Sequence, residues 1–193
     1  RKFWKDDFSV DSSSQYTGHV ADFTWDTANK RLVLVEGRDK NVMVHKSPSG
    51  TDFQITIVIE TPDANLETAA ENGIRFEIDG VIYRCRLLNQ ARRLYIHRAG
   101  SPLTYSGQFS DDDWDPTAKH RLNVSISANG FGISTVMNGT VYSCSYPIPI
   151  SNISKFGIDA IGQATMVRFY DFTISSSISY ADDFATDTTG GGI

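Results

Sequence analysis

Residues 53–60 read FQITIVIE, and every second side chain in this stretch is large and apolar. Because successive side chains of a β-strand point to opposite faces, this period of two predicts a strand that is buried on one face only. The same alternation recurs in residues 121–126 and continues at Phe131 and Ile133. The chain is therefore predicted to consist of half-buried strands.

Four Asn-Gly or Asp-Gly pairs separate these strands. They are Asn72-Gly73, Asp79-Gly80, Asn129-Gly130 and Asn138-Gly139. These residue types tolerate the positive φ that tight turns require, so each pair predicts a hairpin turn, and such spacing is typical of an antiparallel sandwich or barrel. Residues 63–71 could form a helical turn or two. Long loops are predicted at residues 11–17, 101–119 and 146–155.

The length and charge of the chain exclude several classes of protein. Its 193 residues suit one sizeable domain. The formal net charge is −5 and the Lys and Arg residues are scattered, so we expect no nucleic-acid partner. No apolar run is long enough to span a membrane.

The chain contains a weak internal repeat. The segment WKDDFSVD at residues 4–11 recurs as YADDFATD at residues 180–187. We therefore expect one domain over residues 1–178, followed at residues 179–193 by a linker or by the start of a second, similar module.

Two cysteines, Cys85 and Cys144, lie in strand-like surroundings. Two free thiols are the preferred interpretation, and a single cross-sheet disulfide in an extracellular setting is the alternative. The histidines are isolated and lack zinc-site spacing.

Five segments, taken in their order along the chain, match the pattern of a known group of domains. They are DDFSVDSSSQYT, NGIRFEID, WDPTAKHRLNVSI, VMNGTVY and FGIDAIGQATMVRFYDFTI. Together they resemble concanavalin A-like lectin/glucanase jelly rolls, and among these most closely the laminin G-like and keto-disaccharide-hydrolase-like domains. The resemblance implies an all-β fold, a two-sheet antiparallel jelly-roll sandwich whose first and last strands are adjacent. The fold does not by itself imply a function.

Strand parity predicts a polar surface on one sheet. If residues 73–79, 81–87 and 94–98 form consecutive hairpin strands, alternate side chains gather on one face. These candidate ligand-binding residues are Arg75, Glu77, Arg84, Arg86, Tyr95 and His97. Charged hydrogen-bonding groups and an aromatic ring suit a glycan, and several arginines favour an acidic one. The alternative is a solvated outer face with Arg–Glu cross-strand pairs.

Two acidic groups are candidate calcium sites. Superfamily members often hold a structural Ca²⁺ near the first strand and a carboxylate of the last strand, and the resemblance implies Asp6, Asp7 and Asp171 here. Asp171 interrupts an apolar pattern, so it is expected to be buried with a partner. The loop at residues 111–115, DDDWD, could bind calcium, or Trp114 could pack at the edge of the sandwich.

The sequence favours binding over catalysis. Glu77 and Asp79 begin the Glu-x-Asp-x-x-Glu strand of related glucanases, but Val81 and Ile82 occupy the positions where the second glutamate would stand. We hypothesise a non-catalytic glycan-binding module of an extracellular, cell-surface or virion-surface protein. One alternative is a structural or assembly module of a fibre, sheath, filament or adhesin, contacting copies of itself or a neighbouring module. The other is a polysaccharide-cleaving glycosidase or lyase.

Overall fold

A computed structural model describes residues 2–36, 39–47, 49–162 and 165–176. The second copy of the repeat, at residues 180–187, and the segment 179–193 lie outside these described residues. No helix within the described ranges is long and apolar enough to cross a membrane.

Short strands make up most of the described chain. In chain order they are β1 (Lys2–Asp6), β2 (Tyr16–Gly18), β3 (Thr24–Asp26), β4 (Arg31–Leu34), β5 (Lys40–Val44), β6 (Phe53–Glu60), β7 (Ala70–Ile78), β8 (Val81–Leu88), β9 (Arg93–Arg98), β10 (Ser101–Tyr105), β11 (His120–Ser127), β12 (Gly130–Met137), β13 (Thr140–Pro147), β14 (Ile153–Gly162) and β15 (Val167–Ser176). Short 3-10 turns lie at Ser13–Gln15, Val20–Asp22 and Thr27–Asn29.

The strands form two antiparallel sheets. The first sheet has the order β13-β12-β11-β6-β15-β4-β3, with β1 also paired to β15. The second sheet has the order β10-β9-β8-β7-β14-β5-β2. This arrangement confirms the predicted two-sheet jelly-roll sandwich, with the first and last described strands adjacent.

The hydrophobic core lies between the sheets. Phe53, Ile55, Ile57 and Ile59 of β6 are all at most 3% exposed, as their alternation predicts. Phe76 of the second sheet packs edge-on against Phe131 of the first, with ring centroids 5.0 Å apart. Burial of these apolar side chains on one face of each strand explains why the two sheets stack.

Three of the four predicted turns are confirmed, and one prediction is wrong. Asp79 and Gly80 have φ values of 50° and 78° between β7 and β8, and the pairs at 129–130 and 138–139 also join neighbouring strands. Asn72-Gly73 instead lies inside β7. A Cβ atom added to Gly73 would lie 1.9 Å from the carbonyl oxygen of Cys85, so the glycine permits close approach of two backbones.

Two other local predictions also need correction. Residues 63–71 form turns that lead into β7 at Ala70, and no helix forms there. The predicted loop at 101–119 begins with an edge strand, β10, which tolerates Pro102 because an edge strand can leave one side unpaired. In the loop at 11–17, a 3-10 turn precedes the start of β2.

Cys85 and Cys144 are both free thiols. Cys85 is completely buried in the core, and burial raises the pKa of its thiol well above the ordinary value. Burial also raises the pKa of Cys144, to about 11. Both groups are therefore protonated at neutral pH.

Candidate functional site

The outer face of the second sheet brings most of the predicted ligand-binding residues together. Arg75 of β7 lies directly opposite Arg84 of β8, and Arg84 lies opposite His97 of β9. One pair further along the same strands, Arg86 lies opposite Tyr95. We call this surface the arginine face.

Arg86 forms the buried centre of the arginine face. Its side chain is 1% exposed, and its Nε and Nη2 atoms lie 2.7 and 2.5 Å from Oδ2 of Asp159 on β14, which is fully buried. Strand β7 runs between these two residues, and Gly73 is the position opposite both of them. Because glycine has no side chain, the guanidinium can reach across β7 to the carboxylate.

Glu71 and Tyr95 complete this buried network. Arg86 Nη1 lies 3.2 Å from Oε2 of Glu71 and 3.3 Å from the Tyr95 hydroxyl, which donates a 3.0 Å hydrogen bond to the same Glu71 oxygen. Burial raises the pKa of the Tyr95 phenol to about 12. Arg86 and Tyr95 are therefore held inside the protein, and the side chains of Arg75, Arg84 and His97 beside them are more exposed.

The more accessible row consists of Arg75, Arg84 and His97. Arg84 lies at long distances from two carboxylates, 3.7 Å from Asp159 and 3.8 Å from Asp39. Arg75 has no ion pair with any described residue. Burial lowers the pKa of His97, and the positive charges of Arg86 and Arg84 lower it further, so its imidazole is neutral at pH 7.

Sequence reasoning missed two further residues beside this row. Tyr105 of β10 is 45% exposed, and its ring stacks on that of Tyr95 with centroids 5.6 Å apart. The guanidinium of Arg93 lies 5.4 Å from the centre of the Tyr105 ring. Tyr105 lies in a stretch that the sequence predicts to be a loop, where strand parity does not apply. The exposed aromatic edge of this face belongs to Tyr105, whereas Tyr95 is only 6% exposed.

Glu77 stands apart from the other predicted residues. It lies opposite Ile82, and its carboxylate pairs with Lys155 at 3.1 Å. Its ion pair is therefore with a lysine and not with Arg84 or Arg86, which lie opposite other positions of β7.

The N-terminal carboxylates form hydrogen-bonded turns. Asp6 is 6% exposed and accepts hydrogen bonds from the Phe8 backbone N–H at 2.8 Å, from the Tyr16 hydroxyl at 2.9 Å and from the Ser12 hydroxyl. Asp7 accepts bonds from the backbone and hydroxyl of Ser9. Internal donors thus occupy both carboxylate oxygens of Asp6 and one carboxylate oxygen of Asp7.

Asp171 does not meet the expectation of a buried carboxylate. It is exposed and has a φ of 49° at an irregularity in the pairing of β15 with β6. A bulge turns its side chain outward, which explains why it interrupts the apolar pattern.

The acidic loop is organised around Trp114. This side chain is 7% exposed and stacks on His120, with ring centroids 4.9 Å apart, so it belongs to the hydrophobic core. Asp113 accepts a 2.5 Å hydrogen bond from Tyr142, and Asp111 pairs with Arg92. Across the described ranges, no group of three or more His, Cys, Asp or Glu residues is arranged to hold a metal ion. The residues present do not fit a calcium site.

A second surface lies on the outer face of the first sheet. It is an open groove with a volume of about 550 Å³, crossed by a row of small or uncharged polar residues. Gln54, Ser125, Gly132 and Ser145 lie opposite one another on four neighbouring strands. The described lining of this groove contains one charged residue, Asp52, and no arginine.

Comparison with known proteins places the fold. No family model matches the sequence, and no curated protein matches it. Among solved structures, the chain is similar to the carbohydrate-binding module CBM66 from Bacillus subtilis, with a TM-score of 0.62, 15% identity, and coverage of 84% of this chain and 96% of that one.

Two further solved structures, both with a bound sugar, are also similar to the chain. The lectin from Bauhinia forficata in complex with GalNAc gives a TM-score of 0.63 at 11% identity, covering 90% of this chain and 99% of that one. The exoplasmic/lumenal domain of VIP36, bound to Ca²⁺ and Man3GlcNAc, gives 0.58 at 10% identity, covering 87% and 86%. The protein therefore has a concanavalin A-like jelly-roll fold, and at these identities the likeness shows the fold alone.

Proposed function

We propose that the protein is a non-catalytic carbohydrate-binding module of an extracellular, cell-surface or virion-surface protein, and that the arginine face holds the glycan. The observation that carries the proposal is the buried network of Arg86, Asp159, Glu71 and Tyr95. It supports a row of hydrogen-bonding side chains on the outside of a sheet.

The network favours binding because it fixes Arg86 and Tyr95, which form an ordered floor next to Arg84 and His97, before a ligand arrives. A binding site gains affinity when its groups are already ordered, since less conformational entropy is then lost on association. A charged network of this kind is not needed to stack the sheets, whose apolar core lies on the other face. The network also ties β8, β7 and β14 together, so it stabilises this sheet as well as ordering the floor of the proposed site.

The chemistry of the face suits a sugar. Guanidinium and imidazole groups can hydrogen-bond to hydroxyl groups, and the exposed part of Tyr105 offers apolar surface to a pyranose ring. The fold is consistent with this role, since similar structures include a carbohydrate-binding module and lectins with bound sugars.

The carboxylates of the face favour binding over hydrolysis. Glu71 and Asp159 are both engaged by Arg86, and Glu77 is engaged by Lys155. Glycoside hydrolysis needs one carboxyl group that gives up a proton and a second that acts as base or nucleophile. Carboxylates held against cations are poorly suited to the first of these tasks.

A glycan array tests the proposal. We expect the protein to retain one class of glycan and Arg84→Ala to weaken that binding at least tenfold. Arg121→Ala serves as the matched control, because Arg121 is an exposed arginine on the first sheet. Absence of any retained glycan, or binding that the two variants reduce equally, would contradict the proposal. Release of new reducing ends or unsaturated products from the bound glycan would show catalysis instead.

An assembly module is the second candidate, and the edge of the first sheet favours it. Strand β13 carries no charged residue, and edge strands of this kind readily pair with other chains. Val136 and Val141 lie opposite each other beside that edge and are 60% and 64% exposed. Sedimentation at increasing concentration tests this role: a Val141→Lys variant should then abolish self-association, whereas a monomer at all concentrations contradicts it.

A further inference from the structure

We infer that the arginine face selects a glycan that carries an oxyanion, a carboxylate or a sulfate, and that Arg75 and Arg84 bind this group beside His97. The inference rests on the proposed carbohydrate binding and specifies the class of ligand.

The first argument is the repulsion between the two arginines. Arg75 and Arg84 lie directly opposite each other on neighbouring strands and on the same face. Like charges in this arrangement destabilise a sheet, unless an anion lies between or above them. Burial lowers the pKa of Arg75 and the charge of Arg84 lowers it further, while the carboxylates of Asp159, Glu77 and Asp39 act in the opposite direction.

The second argument is that the nearby carboxylates are already engaged. Asp159 is held by two nitrogens of Arg86, which leaves Arg84 3.7 Å away from it. Asp39 is 69% exposed and lies 3.8 Å from Arg84, so solvent screens that pair. Glu77 pairs with Lys155. Internal anions therefore do not fully balance Arg75 and Arg84.

The third argument is unused hydrogen-bonding capacity. Neither the Arg75 nor the Arg84 side chain donates a hydrogen bond within 3.5 Å to any residue that the structure describes, and the Nε atom of each is buried without such a partner. The planar fork of a guanidinium matches the two oxygens of a carboxylate or sulfate, and charge-assisted bonds of this type are roughly twice as strong as neutral ones.

The fourth argument is local charge. The chain as a whole carries a net charge of −5, yet Arg75, Arg84, Arg86 and Arg93 all lie on this face. Arg93 lies over Tyr105 and, like Arg75, has no ion pair among the described residues. Because Asp159 and Glu71 pair with Arg86 and Glu77 pairs with Lys155, Arg75, Arg84 and Arg93 are left without a hydrogen-bonded carboxylate among the described residues and can attract an acidic polymer to this face.

Binding to matched pairs of polysaccharides tests the inference. Polygalacturonate and its full methyl ester share one backbone and differ in their carboxylates, and dextran sulfate and dextran differ in sulfate. An array that presents further backbones in neutral, uronate and sulfated forms extends the comparison. We expect retention of acidic members alone, with affinity falling at least tenfold between 50 and 300 mM NaCl. The polygalacturonate pair tests for binding of a carboxylate, and the dextran pair tests for binding of a sulfate.

Variants decide whether the two arginines are responsible. Arg75→Gln and Arg84→Gln remove the charge and leave a shorter polar side chain, and each should reduce binding of the acidic glycan at least tenfold while circular dichroism shows a folded protein. Arg121→Gln should leave binding unchanged. Equal binding of neutral and acidic members would overturn the anion inference and leave carbohydrate binding intact. Retention of no glycan in any form would overturn the proposed function, and the inference with it.

Discussion

Arg86 and Asp159 form a buried ion pair across an intervening strand, with two guanidinium nitrogens 2.5 and 2.7 Å from one carboxylate oxygen. The pair joins β8 to β14 over Gly73 of β7. It thus ties together three strands of the second sheet beneath the arginine face. The stability of this sheet and the order of the proposed binding face therefore depend on the same residues.

Removing the carboxylate should strongly destabilise the protein. Asp159→Asn leaves the buried Arg86 charge without its main partner, and breaking a buried pair costs about 3–5 kcal/mol. We expect a loss of this size in the free energy of unfolding, measured by urea denaturation. Asp63→Asn, at an exposed carboxylate, should change it by less than about 0.5 kcal/mol. A small loss for Asp159→Asn would show that the pair contributes little.

A side chain at position 73 should destabilise the contact between β7 and β8 beneath the arginine face. Gly73→Ala puts a Cβ atom 1.9 Å from the carbonyl oxygen of Cys85, so the backbones of β7 and β8 must separate. We expect a loss of about 1–3 kcal/mol in the free energy of unfolding, as for other overpacked sites. Gly107→Ala is the control, since no atom lies within 4 Å of the added Cβ. Equal stability of the two variants would refute the close approach.

The N-terminal turn should depend on Asp6 and not on calcium. Asp6→Ala removes the acceptor for Phe8, Ser12 and Tyr16, and hydrogen bonds to a charged group contribute about 1.5–3 kcal/mol each. We expect a drop of at least about 2 kcal/mol in the free energy of unfolding. Adding EDTA or CaCl₂ to the wild-type protein should leave its Tm unchanged. A calcium-dependent rise in Tm would contradict this account of Asp6.

Two histidines should make the protein less stable below neutral pH. Burial lowers the pKa of both His97 and His120 below the ordinary value of 6.5. The unfolded chain then binds protons at a higher pH than the folded one. The free energy of unfolding therefore keeps its full value above about pH 6.5 and decreases as the pH drops toward the folded-state pKa values. Urea denaturation between pH 5 and 8 measures this loss.

NMR titration checks why the pKa of His97 is lowered. The groups that act on this imidazole are Arg86, Arg84 and, with opposite sign, Glu71. Arg84→Gln should therefore raise the pKa of His97, whereas Arg121→Gln should not. A wild-type value at or above 6.5 would show that His97 is less buried than the structure places it.

The sequence was sufficient to predict the sheets and the common face. The alternation in residues 53–60 predicts the buried side of β6, and Asp79-Gly80 predicts the hairpin that brings Arg75 opposite Arg84. These predictions succeed because a period of two and a positive-φ turn depend on residues that are close in the chain.

Contacts between residues that are far apart in the chain cannot be predicted from local sequence patterns. Arg86 and Asp159 are 73 positions apart, and their contact follows from the order of strands in the sheet. The Asn-Gly pair at 72–73 resembles a turn, but packing against β8 uses its glycine inside a strand. Asp171 interrupts an apolar pattern because of a bulge whose position depends on pairing with another strand.

Mapping of backbone amide shifts by NMR tests the central claim most directly. The protein is titrated with the glycan that binds it most tightly, and changes in amide shifts are assigned to residues. The account predicts that the largest changes centre on Arg75, Arg84, His97 and Tyr105 of the arginine face. Changes centred on the groove of the first sheet, around Gln54 and Ser125, would contradict it.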